Sequence, residues 1–207
     1  MLRNPPFRTL IDRTRLLARI HEIAAAIRHD MGPAPAEHGG HTSDARGPLL
    51  VSVAYGARVF CDHLVSALQD PIEVREVRAQ SYGDRTESSG AVQLEGVETF
   101  DPFGREVVIV EDIVDTGRTV ALLKERLEQR GAVRVEVATL LTKPARRVVE
   151  VPLRYVGFEI EDHFVIGFGM DFSERYREIP QVVLYDPEIE RRHDSEVASS
   201  ASLSQGS

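Results

Sequence analysis

The spacing of apolar residues divides the chain into alternating helices and strands. Leu, Ile and Ala recur at helical spacing over residues 10–30, and apolar residues do so again over 57–68. Short apolar runs that are typical of strands occupy residues 49–53, 91–94 and 107–110, and residues 72–77 alternate apolar and charged as a half-exposed strand would. Residues 119–130 predict a helix that stops before Gly131, and 133–141 predict the next strand.

This alternation indicates the fold class. Strands separated by helices argue for an α/β protein with a mostly parallel twisted sheet and helices on both faces. The last third of the chain instead has strands with little helix between them, at residues 155–160, 164–168 and 182–185. We therefore expect a single domain over residues 1–189, with a core at about 48–150 and a small hood built from the N-terminal segment and about 151–189. The polar, Ser/Ala-rich residues 190–207 predict a disordered tail.

Composition narrows the class of protein. The chain has 207 residues and is 42% hydrophobic, which suits one sizeable core. Its 25 Lys and Arg against 33 Asp and Glu give a net charge of -8, so we expect no nucleic-acid partner. No apolar run approaches the ~18 residues needed to span a bilayer, and the N-terminus lacks the apolar stretch of a signal peptide. With a single cysteine and hence no internal disulfide, the sequence predicts a cytoplasmic protein without a membrane partner.

Two features that could carry chemistry have simpler interpretations. Cys61 lies in an apolar helical pattern, which predicts a buried small hydrophobe rather than a nucleophile. His38 and His41 lie in a polar tract without cysteine or a third clear ligand, so we expect no metal site there.

The most informative stretch follows the apolar run at 107–110. The run ends in Glu111 and Asp112, and Asp115 follows three residues later. A buried strand here would deliver acids to its carboxyl end, where open α/β sheets place their ligands. The turn from Asp115 to Thr119 then opens a helix, whose free N–H groups suit a phosphate. Carboxylates for hydroxyls or a metal, beside an amide cradle, suggest a phosphorylated sugar as ligand.

Other classes of protein explain this stretch less well. A solvated strand end would not require the acid pair, the third acid, the Thr-Gly turn and the helix start to coincide. A receiver domain of a signalling system also carries strand-end acids, but after its first strand, whereas these follow 110 residues. A P-loop kinase is disfavoured because the chain has no G-x-x-x-x-G-K-[ST] motif.

Four motifs, in the family's order, resemble one known family. Residues 108–119 closely resemble the phosphoribosyl-pyrophosphate (PRPP) signature of type I phosphoribosyltransferases. Ser81-Tyr82-Gly83 resembles the start of the mobile active-site loop of the hypoxanthine-guanine branch, and residues 140–143 resemble its strand with a purine-reading lysine. Residues 156–160 and 164–177 resemble its purine-binding hood, so the likeness covers about 48–186.

The resemblance implies a purine salvage enzyme. It would transfer the 5-phosphoribosyl group from PRPP to hypoxanthine or guanine, giving IMP or GMP and pyrophosphate. It also implies Mg²⁺ as cofactor and a homodimer or homotetramer. Three alternatives remain: a xanthine-preferring phosphoribosyltransferase, a PRPP-sensing regulator with weak or no catalysis, and a structural or interaction protein. The last would have no reason to keep the acid pair.

The resemblance also assigns roles on the sugar side. Glu111 and Asp112 would accept hydrogen bonds from the ribose hydroxyls and favour positive charge on the ring. Asp115 would be the catalytic base that takes the proton at purine N7. The 5-phosphate would be held by the turn residues Asp115, Thr116, Gly117, Arg118 and Thr119.

On the purine side, Lys143 would donate to the 6-oxo oxygen, Phe164 would stack on the ring and the Val165 backbone would read its edge. Asp171 would lie at the purine end and would also hold Mg²⁺, together with Glu111 and Asp112.

At the pyrophosphate end, the guanidinium of Arg177 would contact the pyrophosphate. Ser81 and Tyr82, at the start of the mobile loop, would help to close the site and exclude water.

One departure from the family pattern concerns the pyrophosphate loop. The family typically has Lys-Gly-Gly there, with a cis peptide before the lysine; the matching residues here are Ala54, Tyr55 and Gly56, and the matching bond is Val53–Ala54. Ala54 has no amine, and Tyr55 replaces a permissive glycine. We therefore predict weaker or altered binding of PRPP and pyrophosphate, with Arg58 as a substitute cation.

Overall fold

The protein is described by a computed structural model over residues 6–31, 47–82 and 91–204. Its elements are, in order, β1 (Thr9–Ile11), α1 (Arg13–Met31), β2 (Leu49–Ala54), α2 (Ala57–Leu68), β3 (Glu73–Tyr82), β4 (Ala91–Glu95), β5 (Glu106–Val114), α3 (Arg118–Gln129), β6 (Arg134–Thr142), β7 (Tyr155–Glu159), β8 (Val165–Ile166), β9 (Val182–Leu184) and α4 (Pro187–Ser204). The tract that contains His38 and His41 lies outside the described residues.

Six strands form the main sheet, in the order β4-β3-β2-β5-β6-β7. Only β4 runs antiparallel to its neighbour, so the predicted mostly parallel sheet is confirmed. Alternate residues of β2 and β5 face opposite cores: Leu50 and Val108 pack with α1 and α2, and Leu49 and Val107 pack with α3. Helices therefore cover both faces, and the carboxyl ends of the parallel strands meet at one edge.

A second, smaller sheet has the order β1-β9-β8 and is antiparallel throughout. It joins the N-terminal segment to the last third of the chain around a small core of Phe7, Ile166, Tyr176, Ile179 and Val183. The helical pattern that begins at residue 10 misplaced β1, because Leu10 and Ile11 belong to this strand and α1 begins at Arg13. The partner of β1 is some 170 residues away, which local periodicity cannot show.

The expected disorder after residue 189 is wrong for the helical part of the tail. The chain is helical from Pro187 to Ser204, and the side chain of Glu190 is buried. Tyr176 and Tyr185 both donate their hydroxyls to its carboxylate, which also pairs with Arg175 at 3.0 Å. These partners come from the hood, so the polar composition of the tail alone did not reveal them.

Two more expectations from the sequence concern the burial of Cys61 and membrane-spanning helices. Cys61 is buried, and burial raises the pKa of its thiol to about 11, in keeping with a packing role. In the described ranges, no helix is both long and apolar enough to cross a membrane.

Candidate active site

A cavity of about 600 Å³ opens where the carboxyl ends of the main strands meet the hood. Eight predicted site residues line it, and six of them lie outside the pyrophosphate loop: Asp112, Asp115, Lys143, Phe164, Val165 and Asp171. Ala54 and Gly56 of the predicted pyrophosphate loop line it as well. Residues from four distant parts of the sequence therefore share one pocket.

The acid pair lies inside β5 rather than just beyond its end. β5 continues to Val114 because Glu111, Ile113 and Val114 pair with β6. Asp112 faces the cavity, whereas Glu111 is not among the residues that line it. Burial raises the pKa of Glu111 well above its ordinary value, with help from the negative charge of Asp112. One buried oxygen of Glu111, Oε2, has no hydrogen-bond partner among the residues that the structure describes.

The surroundings of Asp112 disfavour the charged form of its carboxylate. Its pKa is raised to about 6, chiefly by burial and also by the charge of Asp171, while backbone N–H groups at Ile113 and at Asp112 itself oppose the shift. A cation or a set of hydroxyl donors placed beside Asp112 would favour its charged form. The electrostatics of this carboxylate thus suit a ligand that brings positive charge or hydrogen-bond donors.

The turn at residues 115–119, where the 5-phosphate is expected, packs closely against residues 148 and 149. Gly117 has φ +84° at the N-cap of α3, and a Cβ there would lie 2.4 Å from the carbonyl oxygen of Val149. The N–H groups of Val148 and Val149 both donate to the carbonyl of Thr116 at 3.0 Å. The first N–H groups of α3 are left by its geometry without partners inside the helix, so they can bind an anion.

Arg147 also supports this turn, and sequence reasoning missed it. Its guanidinium donates to the carbonyls of Asp115 at 3.2 Å and Val114 at 3.3 Å, and to Thr142 Oγ1 at 2.7 Å. Arg147 therefore ties the end of β6 to the turn that follows β5. The basic pair of Arg146 and Arg147, shortly after Lys143, was the only available signal.

A chain of charges connects the candidate base to the candidate purine-reading lysine. Arg146 Nε lies 3.1 Å from Asp115 Oδ1, and its NH1 group lies 3.5 Å from Asp162 Oδ2. Lys143, which is buried, lies 3.5 Å from the other oxygen of Asp162. Arg146 and Asp162 both line the cavity, although neither was predicted. Ion pairs with Arg146 and Asp162 thus fix the orientations of the Asp115 and Lys143 side chains.

The hood closes the other side of the cavity. Phe164 is 53% exposed, and its ring meets Phe172 and Tyr185 edge-on, which leaves area for a flat ligand. Val165, at the start of β8, is buried. Asp171 accepts from the backbone N–H of Glu174 at 2.7 Å. This arrangement supplies an aromatic wall and a fixed carboxylate.

Close contacts at Gly56 explain why the pyrophosphate loop has a glycine at this position, as the family pattern does. A Cβ on Gly56 would lie 1.9 Å from Asp112 Oδ2, and a Cβ on Gly169 would lie 2.4 Å from the carbonyl of Gly56. The pyrophosphate loop therefore lies in close contact with Asp112 of β5 on one side and with Gly169 of the hood on the other. The cis peptide joins Ala54 to Tyr55, so the expected position at Val53–Ala54 is wrong by one residue.

Arg58 does not face this cavity, so the expectation of a substitute cation there is wrong. Its guanidinium lies 3.9 Å from both Asp62 and Glu76, and it lines a separate groove between α2 and β3. The position of Arg58 in the first turn of α2 directs it toward β3 and away from the acids of β5.

Ser81 and Tyr82, expected in the mobile loop, are the last residues of β3. They pair with Val92 and Ala91 of β4, because the returning strand continues the hairpin ladder to that point. The rest of the expected loop, residues 83–90, lies outside the described residues.

The described residues contain no group of three or more His, Cys, Asp or Glu side chains that could hold a metal by themselves. Glu111, Asp112 and Asp171 therefore do not form a protein-only site. Asp112 and Asp171 line the same cavity, an arrangement that still suits a divalent cation. Mg²⁺ often takes one or two carboxylates and completes its shell with substrate phosphates and water.

Comparisons with known proteins agree with this geometry. The chain matches the phosphoribosyl transferase domain family over residues 13–173. It is 37% identical over 180 residues to a hypoxanthine-guanine phosphoribosyltransferase of Mycobacterium avium, covering 87% of this chain and 86% of that protein. It is 40% identical over 146 residues to the bifunctional protein TilS/HprT of Listeria monocytogenes, which covers 70% of this chain but only 22% of that longer protein.

Solved structures show the same fold. The hypoxanthine phosphoribosyl transferase of Trypanosoma cruzi superimposes with a TM-score of 0.79 at 30% identity, covering 93% of this chain and 99% of that one. The enzyme of the same name from Staphylococcus aureus gives a TM-score of 0.77 at 28% identity, covering 88% and 92%. The resemblance drawn from the four motifs is thereby confirmed, and the chain belongs to the phosphoribosyl transferase domain family.

Proposed function

We propose that this chain is a purine salvage phosphoribosyltransferase. It transfers the 5-phosphoribosyl group of PRPP to hypoxanthine or guanine and yields IMP or GMP with pyrophosphate. The observation that carries the proposal is the single cavity that joins Asp112 and Asp115 of the sugar side to Lys143 and Phe164 of the purine side. The names of the relatives support the same substrate class.

The sugar side suits a reaction at C1 of the ribose. The bond from C1 to the pyrophosphate oxygen breaks, and a bond from C1 to a purine nitrogen forms. Positive charge develops on the ring during such a transfer, and the carboxylates of Glu111 and Asp112 favour it. The 5-phosphate binds the N–H groups of the turn that Arg147 holds in place.

Asp115 accepts the proton that the purine releases from N7. Its position on the cavity wall, between the end of β5 and the turn that opens α3, supports this role. Arg146 Nε lies 3.1 Å from Asp115 Oδ1 and so orients the carboxylate.

The purine is recognised by three kinds of contact. Lys143 donates to the 6-oxo oxygen, Phe164 supplies a stacking face and the backbone at Val165 reads the ring edge. Because the backbone contributes part of this recognition, a preference for xanthine remains an alternative within the class.

Mg²⁺ fits the carboxylates on the cavity wall. Asp112 and Asp171 would hold it, and the buried unpartnered oxygen of Glu111 lies on the adjacent position of β5. When bound, the ion neutralises charge on the pyrophosphate and makes it a better leaving group.

The direct test is an assay with Mg²⁺, PRPP and each of hypoxanthine, guanine, xanthine and adenine. We expect nucleotide formation with hypoxanthine and guanine and release of one pyrophosphate per turnover. Faster turnover with xanthine would shift the assignment to the xanthine-preferring class. No product with any base would overturn the enzyme proposal.

A PRPP-sensing regulator is the second candidate, and Ala54 favours it. The family position that normally carries a lysine has no amine in this chain. Tight PRPP binding by calorimetry, combined with no nucleotide formation in the assay above, would support the regulator over the enzyme.

A further inference from the structure

Two guanidinium groups lie over the ring of Tyr55 at the pyrophosphate loop. The Cζ atom of Arg78 is 5.3 Å from the centre of its ring, and that of Arg177 is 5.9 Å away. The Tyr55 side chain is 55% exposed, so it fills no core position that would explain its size. An aromatic face attracts cations at these distances, and Tyr55 can hold both arginines near the loop.

The register of the sheet places Arg78 beside the position that lacks a cation. β2 and β3 run parallel, and Ala54 is the partner of Arg78 in that ladder. The neighbouring strand therefore presents a guanidinium next to the pyrophosphate loop, in which neither Ala54 nor Tyr55 carries an amine. A sequence comparison along β2 alone could not show this replacement, because the cation comes from β3.

The two guanidinium groups beside Tyr55 differ in their ion pairs. Arg177 pairs with Asp171 at 3.0 Å. Arg78 is exposed and makes no ion pair with any residue that the structure describes, although Glu95 is its partner across the ladder with β4. Among the described residues, Arg78 thus presents a guanidinium without an ion pair beside the pyrophosphate loop. An anion would complete this arrangement.

We infer that Tyr55 is a positioning residue that holds Arg78 and Arg177 as a stacked pair for the pyrophosphate group. Arg78 takes over the charge of the missing lysine. This inference rests on the proposed function, because it assigns a role in binding PRPP and its product. It replaces the expectation that the altered loop simply binds pyrophosphate weakly.

The test measures binding of pyrophosphate with Mg²⁺ by calorimetry, together with KM for PRPP and for the purine. We expect Arg78→Gln and Tyr55→Ala each to weaken pyrophosphate binding about tenfold or more and to raise the PRPP KM similarly. The purine KM should change less than twofold in both. Tyr55→Phe keeps the ring and should bind pyrophosphate as tightly as wild type. If the Tyr55 hydroxyl mattered instead of the ring, Tyr55→Phe would bind more weakly.

Arg58→Gln is the matched control, because Arg58 is a nearby exposed arginine that lines the separate groove. It should leave pyrophosphate binding unchanged. Wild-type pyrophosphate affinity in both Arg78→Gln and Tyr55→Ala would overturn the inference, even if nucleotide forms. Conversely, Arg78-dependent pyrophosphate binding without any nucleotide formation would support the inference and overturn the enzyme proposal.

Discussion

At the scale of single residues, Asp115 carries the most specific chemical assignment. It lines the cavity, and its carboxylate is oriented by Arg146. We predict that Asp115→Asn lowers kcat by about 10²-fold or more, because the amide cannot accept the purine proton. Steady-state kinetics would show this with little change in the purine KM. Glu125→Gln, on the exposed face of α3, is the control, and full kcat in Asp115→Asn would remove the assigned role.

Gly56 allows a second test at this scale. Its missing side chain leaves room for Asp112, whose Oδ2 would otherwise lie 1.9 Å from a Cβ. We predict that Gly56→Ala displaces the carboxylate and weakens PRPP binding about tenfold, or ~1.4 kcal/mol. Equilibrium binding of PRPP would measure the loss.

Gly104→Ala provides the contrast for that experiment. Gly104 also has an unusual backbone, φ +72°, but open space surrounds it. The substitution should cost about 1 kcal/mol of stability from backbone strain and leave PRPP binding unchanged. If Gly56→Ala bound PRPP as well as Gly104→Ala does, the close contact with Asp112 would have no functional consequence.

At the scale of elements, α4 depends on one buried carboxylate. Burial alone would raise the pKa of Glu190, but the hydroxyls of Tyr176 and Tyr185 and the charge of Arg175 lower it below its ordinary value. The folded state therefore binds the proton less tightly than the unfolded chain does. The resulting stability is fully present above the ordinary glutamate pKa of 4.5 and is lost as pH falls through the lower folded value.

We predict that Glu190→Gln lowers the free energy of unfolding by about 1–3 kcal/mol at pH 7. The difference from wild type should shrink as the pH falls below about 4.5. Urea unfolding at several pH values would measure both effects. Glu188→Gln, at an exposed position on the same helix, should change little. A difference that stays constant with pH would show that the charge of Glu190 does not stabilise the docking of α4.

The elements also show where sequence patterns sufficed. The helix predicted over 57–68 is α2 to the residue, and the predicted helix over 119–130 differs from α3 by one residue at each end. Both are strongly amphipathic, with buried positions at helical spacing. β1 and α4 were missed or misjudged because their stability comes from partners far away in sequence.

At the scale of the whole molecule, the cavity lies between the main sheet and the hood. Ligands that touch both should stabilise the complete fold, since they bind the folded state and not the unfolded chain. At 100 times its dissociation constant, a ligand contributes about 2.7 kcal/mol, which is about 5–10 °C in Tm for a chain of this size. We predict such a rise for PRPP with Mg²⁺.

Differential scanning fluorimetry would measure this shift. Asp112→Asn should abolish most of it, because Asp112 lines the cavity and is the carboxylate best placed for ribose or cation. An equal shift in wild type and Asp112→Asn would mean that PRPP binds elsewhere. The homodimer or homotetramer implied by the family resemblance stays a prediction, which sedimentation analysis at several protein concentrations would test.

The sequence by itself determined the local elements and the chemical types at the site. The strand that leads to Glu111, the turn at Gly117 and the lysine after β6 are short-range patterns, so they could be predicted and matched to a family. Only the tertiary structure decided which of these side chains share a cavity and which cation faces the pyrophosphate loop. Arg58 is near Ala54 in sequence, but the pairing of β2 with β3 places Arg78 beside it. Side-chain partners at a sheet edge depend on strand order and register, which no local stretch of sequence contains.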